Sequence, residues 1–77
     1  MNNTRRKTIN QIMEQLELIK GDIENLTAEE RDCYDNLPES FRYGEKGERM
    51  EEAIDNLESA FGSLEDAIDY LSEAIEC

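Results

Sequence analysis

From Met50 onward the apolar residues fall at Met50, Ile54, Leu57, Phe61, Leu64, Ile68, Leu71 and Ile75, in steps that alternate between four and three. That alternation holds one stripe on one side of a helix and defines a heptad seam, with Ile54, Phe61, Ile68 and Ile75 at position a. Cut into sevens, the segment reads EEAIDNL, ESAFGSL, EDAIDYL and SEAIEC, a short internal repeat of one helical unit. Ala53, Ala60, Ala67 and Ala74 precede the a residues, at position g, and widen the stripe to about three residues in seven. Such a width suits a bundle better than a two-stranded coil, and alanine there lets a neighbouring backbone come close.

The first half follows the same rule through Ile9, Ile12, Leu16, Ile19, Ile23 and Leu26, and the series continues through Glu30, Cys33 and Leu37 with Glu30 its one fault. Thr8 with Gln11 forms a possible capping box at the helix start, and Thr27 with Glu30 forms another. The second would permit a break near Leu26, whereas Ala28-Glu29-Glu30-Arg31 favours a continuous helix. Between the two periodic segments, Pro38 disfavours a helical Asn36–Leu37 junction, and Gly44 and Gly47 loosen the approach to the second helix. The pattern predicts a helix over about residues 8–36, a turn over 37–46 and a helix over 47–76, with residues 1–7 a basic preamble. Arms of this length joined by so short a turn must run antiparallel.

The fold class is therefore all-α: an antiparallel helical hairpin with a heptad seam. Two helices alone cannot cover stripes this wide, so the hairpin is expected to associate into a homo-oligomeric helical bundle. Met13, Leu18 and the alanine row (Ala53, Ala60, Ala67, Ala74) are its expected interface. The interior glycines, Gly21 and Gly62, mark either close contact with a partner or tolerated drift. Cys33 near the turn and Cys77 at the far end lie beyond disulfide reach of each other.

Charge changes the picture of the second helix. The chain has 77 residues, 8 Lys and Arg, 20 Asp and Glu, no His and a formal net charge of −12. All eight bases lie within residues 1–49 against eleven acids, leaving nine acids and no base in residues 50–77. The acids of the second helix sit mainly at e, f and b, so this helix offers a surface of one sign. No run of about 18 apolar residues exists, which argues against a membrane span, and the acidic balance disfavours anionic lipid. The cysteines show no metal spacing and no apolar leader opens the chain, so a reduced, cytoplasmic setting is expected.

Chemistry is sparse. Without histidine, the candidate acids and bases are carboxylates and lysines on solvated faces, and the EF-hand loop and phosphate-cradling glycine loops are missing, so neither catalysis nor a metal or cofactor is expected. The placement of the bases is more informative than their number. Arg5, Arg6 and Lys7 lie at the open end, and Arg42, Lys46 and Arg49 at the turn beside Phe41 and Tyr43. Antiparallel association of two hairpins would bring one open end to the other's turn and assemble an anion pocket, since guanidinium forks bind phosphate and aromatic rings stack on bases. The plain alternative is a solubilising tail and local charge balance.

The stretch DNLPESFRYGEKGERMEEAIDNLESAFGSLEDAIDYLSEA, residues 35–74, resembles small acidic proteins of phages and prophages of Gram-positive bacteria, which join an Asn-Leu/Met-Pro-Glu turn to Glu-Ala-Ile-rich heptads. The resemblance implies a phage accessory setting and assigns no site. Taken with the basic ends, it suggests an anti-defence protein that sequesters an anionic, cyclic-nucleotide signal without binding nucleic acid directly. Two alternatives remain: an acidic nucleic-acid mimic that blocks a host defence or DNA-binding protein, and a purely structural assembly element.

Overall fold

A computed structural model describes residues 1–77 and contains three helices and no strand. Helix α1 spans Asn3–Asp35, the single-turn α2 spans Glu39–Arg42, and α3 spans Glu45–Glu76. The long helices lie antiparallel in a rod whose Cα atoms extend 58 × 15 × 11 Å.

Helix α1 begins at Asn3, five residues before the expected start at residue 8. Asn2 is the N-cap, and its side chain accepts a hydrogen bond from the Arg5 amide at 2.8 Å. An Asn there satisfies one of the open amides of the first turn and outcompetes the interior threonine. Thr8 instead donates to the Thr4 carbonyl at 3.1 Å within the helix. Arg5, Arg6 and Lys7 are thus helical, not a loose preamble. The helix also runs unbroken past Leu26, because the Thr27 hydroxyl turns back to the Ile23 carbonyl at 2.8 Å rather than capping a new start.

At the far end, the Asn36 amide donates to the carbonyl of Asp32, and Pro38 then opens α2. The crossing from α2 into α3 is tight. A Cβ on Gly47 would stand 2.0 Å from the Arg42 carbonyl oxygen, which only a glycine avoids. This glycine is a packing contact, not a flexible joint as the turn's composition suggested.

The seam of α3 follows the heptad reading: Ile54 is buried, and Met50, Leu57, Phe61, Leu64, Ile68, Leu71 and Ile75 are half-buried. The seam of α1 does not. Its shielded side chains are those of Arg6, Ile9, Met13, Leu16, Lys20, Ile23, Thr27, Glu30, Tyr34 and, in the turn, Leu37. Ile12, Ile19, Leu26 and Cys33 are exposed instead. The helix is turned by one column, so Met13, Lys20, Thr27 and Tyr34 occupy a and Ile9, Leu16 and Ile23 occupy d.

Particular contacts hold that rotation. The Tyr34 hydroxyl donates to Glu51 Oε1 at 2.5 Å, and Lys20 Nζ stands 5.3 Å from the Phe61 ring centroid. Arg6 Nε donates to the Ile75 carbonyl at 2.9 Å. Long basic side chains can line a seam because their methylene stems are apolar while their heads reach a partner.

The core is thin. Ile54 is the one buried hydrophobic residue, and no side chain is fully enclosed. A chain of this size with so little enclosed apolar surface has little stability of its own to draw on.

Candidate functional site: an apolar face on one side of the hairpin

In an antiparallel pair the two g rows share one side of the ribbon and the two e rows share the other. On the e side the helices meet through charge. Arg31 pairs with Glu58, Tyr34 bonds Glu51, and a shallow groove is lined by Glu24, Thr27, Ala28, Arg31, Glu58 and Phe61. Glu51 accepts the tyrosine's proton-bearing hydroxyl, and this hydrogen bond, aided by burial and by the carboxylate's charge, raises the Tyr34 pKa above its ordinary 10.0.

The g side is of a different kind. Helix α1 contributes Ile12, Ile19, Leu26 and Cys33, with Ile12, Ile19 and Leu26 exposed at 40%, 46% and 52%. Helix α3 contributes Ala53, Ala60, Ala67 and Ala74. The contacts Tyr34–Glu51, Arg31–Glu58, Lys20–Phe61 and Arg6–Ile75 fix the register between the helices. In that register Ile12 lies level with Ala74, Ile19 with Ala67, Leu26 with Ala60 and Cys33 with Ala53. The result is a ladder of four rungs, each with a larger residue on α1 and an alanine on α3.

On α3 the acids avoid this ladder, and on α1 Asp22 and Glu29 border it without entering it. All eleven acids of α3 occupy positions b, e or f, and none occupies a, c, d or g. Its outer neighbours on α3 are Asn56, Ser63 and Tyr70, at position c. A helix so dense in carboxylates that still leaves one flank free of them, its only charges there being Lys46 and Arg49 at the turn, has a surface fitted to contact protein rather than water.

Of the residues expected at the interface, the four alanines lie on this face. Met13 does not, because the rotation of α1 draws it into the seam, and Leu18, 73% exposed, sits opposite the seam. The isoleucine and leucine row was missed because the same residues, stepping by three and four, look like the seam itself. The signal that could have separated them is the column Met13, Lys20, Thr27, Tyr34, which carries side chains able to line a seam and ends beside Arg42.

The bases expected to bind an anion are placed at both ends of the rod, and one chain does not bring the two groups together. Most are engaged. Arg42 Nη2 donates to the Asp35 carbonyl at 2.8 Å and the Leu37 carbonyl at 3.4 Å, and its guanidinium stands 5.6 Å from the Tyr34 ring centroid. It thereby satisfies the open carbonyls at the end of α1, where a cation is favoured. Arg49 pairs with Glu45 at 2.6 Å, and Arg6 reaches Ile75. Arg5, Lys7 and Lys46 are exposed and in no ion pair. Phe41 and Tyr43 stand out at the tip, 55% and 77% exposed.

No family model, curated protein or solved structure matches the chain. No helix is long and apolar enough to cross a membrane.

Proposed function

We propose that this chain is a non-catalytic assembly module whose hairpin pairs with a second copy to form a four-helix bundle. The observation that carries this reading is the ladder of the g rows between residues 12 and 33 of α1 and 53 and 74 of α3, an uncharged apolar strip on a hairpin that encloses almost no core. Burying it would give each chain the core it lacks, as bundles do when four stripes meet. Light scattering at micromolar concentration tests it: twice the 8.9 kDa chain mass is expected, and the single-chain mass would overturn it.

A second reading is favoured by the exposed rings of Phe41 and Tyr43 beside Lys46. It is sequestration of an anionic, cyclic-nucleotide signal, with Arg5 and Lys7 of a copy docked the opposite way round, its open end at this turn, completing the site, in keeping with the resemblance to phage accessory proteins. Stacking surfaces next to unpaired cations suit such a ligand. Calorimetry against cyclic mono-, di- and trinucleotides at physiological salt tests it, and silence across that panel would remove it.

A further inference from the structure

We infer that the second copy docks with its two-fold axis parallel to the helices, so that α1 of each chain lies on α3 of the other and both turns sit at the same end. This rests on the assembly reading above and specifies its geometry. Face-to-face pairing of two g faces allows two arrangements in which neighbouring helices run antiparallel, and the ladder distinguishes them.

With the axis along the helices, every residue keeps its height. Each rung then meets itself inverted: Ile12 on Ala74, Ile19 on Ala67 and Leu26 on Ala60, in both directions across the interface. Large side chains face small ones in every layer, which is the condition for filling a bundle core without voids or strain. The isologous contact closes on itself and leaves no second sticky surface.

With the axis across the helices, α1 packs on α1 and α3 on α3. Ile19 would then oppose Leu26, large on large, while Ala60 would oppose Ala67, small on small. One side of the bundle would be overfilled and the other hollow, and both faults destabilise. Charge agrees. Asp22, beside the ladder on α1, would lie level with its own counterpart across the axis, whereas in the first arrangement it lies level with Ser63 of the other copy. Like carboxylates held opposite each other repel.

The face is large enough. Four rungs span about 32 Å at ~1.5 Å per residue, and two helices side by side are about 20 Å wide, giving on the order of 600 Å² from each chain. The total, roughly 1,200 Å², clears the ~1,000 Å² below which a specific interface is doubtful.

Disulfide trapping between differently tagged chains tests the arrangement. In a Cys33→Ser, Cys77→Ser background, chains carrying Ile19→Cys are mixed with chains carrying Ala67→Cys, and separately with chains carrying Leu26→Cys, under mild oxidation. The Ile19→Cys and Ala67→Cys pair is expected to convert most of the mixture to a covalent heterodimer, with little product from the Ile19→Cys and Leu26→Cys pair. The reverse yield would overturn the proposal and favour the crossed arrangement. A wild-type chain that scatters as a dimer while neither pair links would place the interface on another face and also overturn it. A wild-type chain that scatters as a monomer would remove the assembly reading itself.

Discussion

Gly47 lies so close to Arg42 that a Cβ on the glycine would come within 2.0 Å of the arginine's carbonyl oxygen and 2.6 Å of its carbonyl carbon. Both are backbone atoms, so no rotamer change relieves the clash. Gly47→Ala therefore forces α2 and α3 apart at the turn and is expected to destabilise the hairpin by about 2 kcal/mol or more, the cost of overpacking a closed contact. Gly21 and Gly62 form the contrast, since an added Cβ at either meets nothing within 4 Å. Their replacement by alanine is expected to stabilise by about 0.5–1 kcal/mol each. Thermal melts at one fixed protein concentration check both signs, and equal behaviour of the three variants would contradict the close approach at the turn.

Arg42 does for the end of α1 what a glycine cap does elsewhere. Its guanidinium holds the carbonyls of Asp35 and Leu37 while lying near the Tyr34 ring. Arg42→Ala is expected to cost about 1.5–3 kcal/mol, the usual range for a hydrogen bond from a charged donor. Arg42→Lys should recover little of it, because an ammonium is a compact point charge that neither spreads over two carbonyls nor lies flat along a ring. Urea unfolding of the three proteins measures this. Full recovery by lysine would mean that charge alone acts at this position.

How much of this was legible depended on the helix. In α3 the apolar seam is bordered mainly by acids and alanines, so one stripe stands out and the structure follows it. In α1, Ile9, Leu16 and Ile23 can be flanked either by Ile12, Ile19 and Leu26 or by Met13, Lys20, Thr27 and Tyr34. Hydrophobicity alone selects the isoleucines. The structure selects the other column, because Tyr34 reaches Glu51, Lys20 reaches Phe61 and the Thr27 hydroxyl is satisfied by its own helix. None of these contacts can be counted from periodicity. The same limit affected the candidate anion site: the clustering of Arg42 and Arg49 and a local charge balance such as Arg49 with Glu45 were visible, but the hold of Arg42 on the helix carbonyls was not.

The Tyr34 hydroxyl should titrate above its ordinary 10.0, because the neutral form donates to Glu51 and its ionised form would face that carboxylate. A raised folded-state pKa means that this contact stabilises the fold fully below the unfolded value. The stabilisation is lost as pH rises from about 10 through the folded value. The absorbance of tyrosinate, followed from pH 8 to 12, should resolve one of the three tyrosines as a late titration. Tyr34→Phe should abolish that late component.

The assembly reading makes a prediction that separates the g face from acidity in general. Ala60 and Ser59 are adjacent, both exposed in the single hairpin, and both lie on a helix already rich in carboxylates. Glutamate at either position adds the same charge to the same turn. If the hairpin acted alone, Ala60→Glu and Ser59→Glu would be equally tolerated, since neither side chain would leave water. In the paired bundle position 60 is buried against a second chain and position 59 faces outward, so only Ala60→Glu strands a carboxylate without a partner. An interfacial charge left unpaired costs about 2–5 kcal/mol, which weakens dimerisation by roughly 30-fold to several thousand-fold. Wild type and Ser59→Glu should therefore melt at temperatures that rise with protein concentration, as mass action requires of a chain stabilised by its partner. Ala60→Glu should melt lower, lose that dependence and scatter at the single-chain mass of 8.9 kDa. Indistinguishable melting of the two glutamate variants would place the second chain somewhere other than the alanine face.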